Sequence, residues 1–238
     1  MARRRFFVEE VHNHSAELVG EEARHLSQVL RVETGQKYEI SDNHDVFLAE
    51  VETARKDRIV FRTLEKVPVS EPVVHVTLFA SLIKFDHFEI VLEKATELGV
   101  EEIVPVEATR SERGLERAVE KRITRWRRIV LESSQQSRRA RLPEVALPID
   151  FPAALKSESG IRLILDEERT GGSILDAIGA AGKPSTVALL IGPEGGWTEP
   201  EREQAKAAGW TTVSLGPQIL RAETAAIAAM ATLNAAYY

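Results

Sequence analysis

The chain reads as an α/β protein, with a small β domain followed by a larger domain in which strands alternate with helices around a mostly parallel sheet. Three observations predict this. Residues 3 to 65 carry short β-type runs spaced about ten residues apart, the rhythm of a small barrel or sandwich. From residue 73 onward, apolar runs of strand length alternate with segments of helical period, the pattern of a parallel sheet covered on both faces. Between them lies VPVSEP, residues 67 to 72, with two prolines and neither period, so the domains are expected to run 1 to 68 and 73 to 238.

In the first domain the strand candidates are RRFFV, QKYEIS, VFLAEVETA and RIVFRTLE. One helix interrupts them. In EEARHLSQVLRV, Ala23, Leu26, Val29 and Leu30 recur at helical spacing, and Gly35 follows as a stop. The second domain opens on the strand candidate VVHVTLFASL. FDHFEIVLEKATELG then places Phe88, Val91, Leu92, Ala95 and Leu98 on one helical face and closes at Gly99, before the strand EEIVPVEA. A long helix over residues 114 to 137 has Leu115, Val119, Ile123, Trp126 and Val130 as its apolar stripe and arginines on its other faces. Three strand runs follow, IRLILDE, TVALLIG and WTTVSLG, joined by a weak helix over 174 to 181 and a clear one over 200 to 208. The clear one has Thr198 and Glu201 in capping-box spacing and ends at Gly209. AETAAIAAMATLNAAYY is an Ala-rich helix whose slim side chains permit close packing. Trp126 and Trp210 occupy apolar positions and are expected in the core.

Composition narrows the function. With 238 residues and 43% hydrophobic content, the chain can bury a substantial core. It has no cysteine, which excludes disulfides and thiolate zinc sites, and among its six histidines only His12 and His14 lie close together, so no metal is expected. No apolar run approaches the roughly 20 residues of a membrane span, and MARRRFFVEE lacks the apolar core of a secretory signal. No membrane association and a cytoplasmic location are therefore expected. The net charge of -6 opposes a polyanionic partner, but the average conceals an asymmetry. Between Arg110 and Arg141, eleven Arg or Lys stand against four Glu, a local +7 that leaves -13 elsewhere. Such a basic segment points to nucleic acid on one face.

Ligands of open parallel sheets sit beyond the carboxyl ends of the strands. After TVALLI comes GPEGGW, residues 192 to 197, and after TTVSL comes GPQILRAET, residues 216 to 224. Glycines there permit positive φ and let a ligand approach backbone groups closely, although a pair of ordinary tight turns is the plain alternative. Neither GxxxxGK[ST] nor GxGxxG occurs, which disfavours phosphate cradling. What remains is a moiety such as adenosine, held by backbone groups between Ile191, Leu215, Ile219 and Leu220.

LIGPEGGWTEPE followed by VSLGPQILRAETAAIAA resembles the paired signature segments of the 16S rRNA uracil-N3 methyltransferases, the RsmE type of the SPOUT class. RRFFV, EEARHLSQVLRV, EKATELGVEEIVP and RWRRIVLESSQQSRRARLPEV fall in matching order, so the resemblance covers nearly the whole chain. Two departures stand out. Ser133, Ser134, Gln135 and Gln136 occupy positions where relatives often carry an alanine and an acidic residue, and Trp197 replaces the Phe expected after GPEGG. The resemblance implies a SPOUT-type α/β methyltransferase domain with a C-terminal trefoil knot, preceded by a small PUA-like β-barrel. It implies a homodimer, S-adenosyl-L-methionine as cofactor, and 16S rRNA of the 30S ribosomal subunit as partner. The cofactor pocket it implies comprises Leu165, Ile191, Gly192, Gly195, Gly196, Leu215, Gly216, Ile219, Leu220 and Thr224.

The implied reaction is attack of uracil N3 on a sulfonium methyl carbon, which requires loss of the N3 proton. Arg221 is expected to reach a phosphate or a uracil oxygen, against the alternative of a surface ion pair. Glu223 and Glu194 are the candidate general bases. Glu223 fits equally well as a first-turn acid favoured by the helix macrodipole, and Thr224 as an ordinary helix-start residue. RNA contacts are expected from Arg3, Arg4, Arg5, His25, Arg31, Arg125, Arg138 and Arg139, against the plainer reading of a solvated basic face. Two further readings stay open: a SPOUT methyltransferase acting on tRNA or 23S rRNA, and a non-catalytic RNA-binding module in ribosome assembly.

Overall fold

Short apolar runs near the N-terminus, some alternating with polar residues, turn their apolar side chains inward. In the computed structural model, which describes residues 4–112, 114–168 and 171–237, these strands are β1 (Arg5–Phe7), β2 (Ser15–Val19), β3 (Lys37–Ser41), β4 (Val46–Arg55) and β5 (Arg58–Val67), with α1 (Gly20–Gln28) after β2. They pair in the order β1-β3-β4-β5-β2, with β1 parallel to β3 and the other pairs antiparallel. Phe6, Leu18, Ile40, Val51, Ile59 and Phe61 meet Ala23 and Leu26 of α1 in a single core cluster. Strand β2 escapes the sequence pattern because only Ala16 and Leu18 point inward, and a two-residue apolar signal is too short to read. Helix α1 also stops earlier than its spacing predicts. Val29 is 64% exposed, and Arg31 at φ 49° turns the chain before Gly35 is reached.

The chain divides into two compact units, Met1–Glu71 with Leu131–Leu142, and Pro72–Val130 with Pro143–Tyr238. A boundary near residue 70 alone misses the return of 131–142 to the first unit. Polar bonding accounts for that return. Ser41 Oγ donates to the Ala140 carbonyl, and Leu142 N–H donates to Asn43 Oδ1 at 2.7 Å. Glu39 accepts from Arg5 Nη2 at 2.8 Å and from Arg138 Nη2 at 2.6 Å, while Arg5 Nη1 donates to the Arg138 carbonyl at 2.6 Å. Arg5 is only 8% exposed. Of Arg5 and Arg138, both expected to contact RNA, Arg5 is buried on Glu39, whereas Arg138 bonds the same carboxylate with 41% of its side chain exposed. Burial by itself would raise the Glu39 pKa, but the two guanidiniums hold it below the ordinary carboxylate range.

The second unit contains β6 (His75–Ser81), α2 (Phe85–Glu97), β7 (Glu102–Glu107), most of α3 (Leu115–Ser137), β8 (Glu144–Val145), β9 (Ile149–Asp150), α4 (Phe151–Ala154) and β10 (Ile161–Leu165). These are followed by β11 (Gly172–Ser173), α5 (Ile174–Ala181), β12 (Thr186–Ile191), α6 (Glu199–Ala207), β13 (Thr211–Ser214) and α7 (Ala222–Tyr237). The sheet order is β11-β13-β10-β12-β6-β7-β8, with β9 also on β7, and every pairing among the described strands is parallel. Strand alternation feeds two cores. Val187, Leu189 and Ile191 of β12 join Phe88 and Leu92 of α2, Trp126 of α3 and Ala226 and Met230 of α7. Ala188 and Leu190 join Phe151, Trp197, Ala205 and Trp210 on the opposite face. Trp126 stacks on Phe88 with ring centroids 4.6 Å apart, so Trp126 and Trp210 are core residues. No described helix is long and apolar enough to cross a membrane, and no group of acidic or histidine side chains among the described residues could hold a metal ion.

Replacing Glu39 with Ala should strand the Arg5 charge in the first unit and destabilise it by about 3–5 kcal/mol in urea denaturation at neutral pH. Because the folded pKa of Glu39 lies below its ordinary value of 4.5, its contribution is complete above that value and is lost as the pH falls through the folded pKa. The difference between wild type and E39A should therefore shrink in acid.

Candidate functional site

The carboxyl ends of the adjacent strands β13, β10, β12 and β6 open onto one cleft of about 660 Å³, within the range of small-molecule sites. Leu165, Asp166 and Glu167 follow β10, residues 191 to 196 end and follow β12, and residues 213 to 216 end and follow β13. Lys84 and His87 come from the segment joining β6 to α2 and from the first turn of α2.

The turn after β12 is the most tightly held part of this wall. The Trp197 indole is fully buried and donates from Nε1 to the Leu165 carbonyl at 2.8 Å, tying the ends of β10 and β12 together. Its ring lies against Gly192, where a Cβ would come within 3.1 Å of it. Gly196 has φ 68°, and a Cβ there would meet Glu167 Oε1 at 1.9 Å. Arg110 donates to the Gly195 carbonyl at 2.8 Å. Below the turn, the buried Glu201 carboxylate accepts from the backbone N–H groups of Thr109 and Thr198, both at 2.8 Å, and from Thr198 Oγ1 at 2.7 Å, completing the predicted capping box. Burial opposes ionisation of Glu201, yet these donors keep its pKa below the ordinary range.

Asp166 is 7% exposed and pairs with Arg202 through bonds of 2.7 and 3.1 Å. Burial works to raise its pKa, and the Arg202 guanidinium outweighs burial and lowers it. The same guanidinium reaches Glu167 at 3.2 Å. Across the cleft, His87 Nδ1 lies 3.2 Å from Glu194 Oε1. After β13 the chain passes Gly216 at φ 137° and exposes Ile219 to 76% and Leu220 to 37% before α7 begins. The Arg221 carbonyl accepts from Ala225 N–H at 2.8 Å, so Arg221 stands at the very start of the helix.

A model of the RNA methyltransferase domain matches residues 69–234. The chain is 32% identical to the ribosomal RNA small subunit methyltransferase E of Mesomycoplasma hyopneumoniae over 225 residues, which span 94% of this chain and 95% of that relative. The chain belongs to the ribosomal RNA small subunit methyltransferase E family. Its relative in Synechocystis is 34% identical over 89% of this chain and 70% of its own length. The crystal structure of the Neisseria gonorrhoeae family member bound to S-adenosyl methionine superposes with a TM-score of 0.90 at 32% identity, covering 99% of this chain and 98% of that one.

In this family member, Leu165, Ile191, Gly192, Gly195, Gly196, Leu215, Gly216, Ile219 and Leu220 line the cleft together, as do Glu194 and Arg221. Thr224 and Glu223 do not. The helical advance of α7 presents Ala222 and Ala225 to the cleft, leaves Thr224 exposed and buries Glu223 away from the lining. Sequence reasoning passed over Lys84, His87, Asp166 and Glu167, because it looked only at glycine-bearing turns. The rule of strand carboxyl ends, applied to β6 and β10 as well, would have reached them.

Among the residues expected to contact RNA, Arg4 and Arg31 are exposed, His25 is half-buried, and Arg3 lies outside the described residues. Arg125 is held by Glu89 through two bonds of 2.7 Å, and Arg139 is half-buried and donates to the Arg141 carbonyl at 3.1 Å. Replacing Gly196 with Ala should cost about 1–3 kcal/mol in stability through its left-handed backbone, and more through the clash with Glu167, with chemical denaturation as the measurement.

Proposed function

We propose that this chain transfers the methyl group of S-adenosyl-L-methionine to N3 of a uridine in 16S ribosomal RNA, in the decoding region of the small subunit. The observation that carries this reading is the convergence of two glycine-bearing turns on one cleft. At Gly192 and Gly196 an added Cβ would press on the Trp197 ring and on Glu167, so glycine is what lets this turn sit so close over the strand ends, with its backbone lining the cleft. The donor set suits this cofactor. Leu165, Ile191, Leu215, Ile219 and Leu220 offer apolar walls, the exposed edges of the turns offer backbone hydrogen bonds, and Asp166 and Glu167 are acceptors for hydroxyl and ammonium groups.

When bound, S-adenosylmethionine supplies a methyl carbon already activated by its sulfonium. The chain's own residues then position the base, which can lower the barrier by roughly 7–11 kcal/mol. Lys84 and Arg221 line the cleft without a carboxylate partner among the described residues. They are free to meet a phosphate or to favour the deprotonated uracil through its oxygens. Of the two candidate carboxylates, Glu194 meets the cleft and Glu223 stands outside its lining.

On this reading the second unit is a SPOUT-type domain whose turns at 192–197 and 216–221 belong to a C-terminal trefoil knot. The first is a PUA-like RNA-holding domain that presents Arg4, His25 and Arg31. The working form is a cytoplasmic homodimer acting on the 30S subunit. The resemblance of the signature segments over nearly the full chain supports each of these.

Isothermal titration should show heat with S-adenosylmethionine or its demethylated product, and its absence would count against the cofactor. Replacing Arg221 with Ala should leave that heat in place while slowing methyl transfer by about 10²–10³-fold. Mass spectrometry of 16S rRNA from a deletion strain should show loss of 3-methyluridine, and unchanged content would exclude this substrate.

A further inference from the structure

The functional reading leaves open how the proton leaves uracil N3, with Glu194 as the candidate carboxylate that meets the cleft. His87 is the only imidazole among the residues lining the cleft. Its Nδ1 lies 3.2 Å from Glu194 Oε1, and its Nε2 lies 3.9 Å from Asp86 Oδ2, beyond hydrogen-bonding distance. An ionised carboxylate only accepts, so the proton in the short contact belongs to Nδ1, and the neutral ring carries its lone pair on Nε2. A carboxylate that orients an imidazole, selects its tautomer and stabilises the imidazolium formed later is the arrangement of a general base.

The other groups of the cleft do not compete for this role. Asp166 is bound by Arg202 through two hydrogen bonds, and Glu167 shares the same guanidinium. Lys84 and Arg221 are cations, suited to stabilise a developing anion rather than to take a proton. The charged groups next to the imidazole are Asp86 on its own helix and Glu194 after β12, and those sharing its cleft are Asp166 and Glu167 after β10, Arg221 before α7, and Lys84 before α2.

We propose that His87 is the catalytic base that takes the N3 proton and that Glu194 is its positioning residue, an inference that rests on the uridine-N3 reading above. The N3–H bond breaks as its proton passes to Nε2. The electron pair left on N3 forms the new bond to the methyl carbon, and the carbon–sulfur bond breaks with its electrons going to sulfur. The resulting imidazolium, held by Glu194, then returns its proton to solvent.

Two measurements test this. The first needs no turnover: ¹⁵N NMR of histidine-labelled wild-type protein should show neutral His87 as the Nδ1–H tautomer, and an Nε2–H tautomer would overturn the proposal. The second is single-turnover methyl transfer to 16S rRNA as a function of pH. His87→Gln should bind S-adenosylmethionine with wild-type heat, transfer the methyl group about 10²-fold more slowly or worse, and lose the ascending acid limb of the profile. Glu194→Gln should keep that limb but displace it, because the positioning charge is gone while the base remains. An H87Q protein with the wild-type rate and profile would refute the base. Wild-type protein that binds the cofactor yet leaves the uridine unmethylated would instead strike at the functional reading, and the tautomer would still judge the His87–Glu194 pairing on its own.

Discussion

The hydrogen bond from the buried Trp197 indole to the Leu165 carbonyl ties the ends of two neighbouring strands, β10 and β12, and the rest of the cleft is built on that tie. A fully buried N–H must be satisfied, so the ring is locked in place. Once locked, it occupies the space beneath Gly192 and sets how closely the turn can pass over the strand ends. Glu201 then fixes the same turn from below by accepting from two segments at once, Thr109 and Thr198. A site whose walls are held by buried hydrogen bonds does not have to reorganise when a ligand arrives, and this is what places reacting groups within reach of one another.

The chain's arginines divide into those that hold the structure and those left over. Arg5 and Arg138 neutralise Glu39, Arg125 grips Glu89, Arg202 serves an acidic cluster after β10, and Arg110 braces the 192–197 turn. Each bond has a clear cause. A buried or half-buried carboxylate is stable only when an oriented cation offsets its lost hydration, and the guanidinium fork does this with two donors. Among the described residues, Lys84 and Arg221 at the cleft and Arg4 and Arg31 on the first unit are among the cations without a carboxylate partner. The basic stretch of 110–141 is therefore a weaker guide to RNA contact than its charge suggests, since part of that charge is spent on internal acids.

Helix α7 shows how phase decides function within a single turn. Arg221, Ala222 and Ala225 line the cleft, whereas Glu223 and Thr224, their immediate neighbours, do not. Alanines at the lining positions leave room beside the strand ends, and the same slim side chains let Ala226 and Ala229 pack onto the sheet. A bulkier sequence would close the cleft from the helix side.

The sequence by itself determined the class of fold, most of its elements and the two glycine-bearing turns, because strand alternation, helical period, the Thr198–Glu201 capping box and strand-end glycines are all local signals. It also determined family membership, through segments whose order is written along the chain. Only the tertiary structure decided that residues 131–142 return to the first unit, that Arg5 is buried and shares Glu39 with Arg138, that Thr224 faces away, and that Lys84 and His87 line the same cleft as Glu194. Those outcomes depend on strand order and side-chain pairing across long stretches of sequence. The sequence separation of 107 between His87 and Glu194 is bridged only because β6 and β12 are neighbours in the sheet, and no local pattern encodes that adjacency.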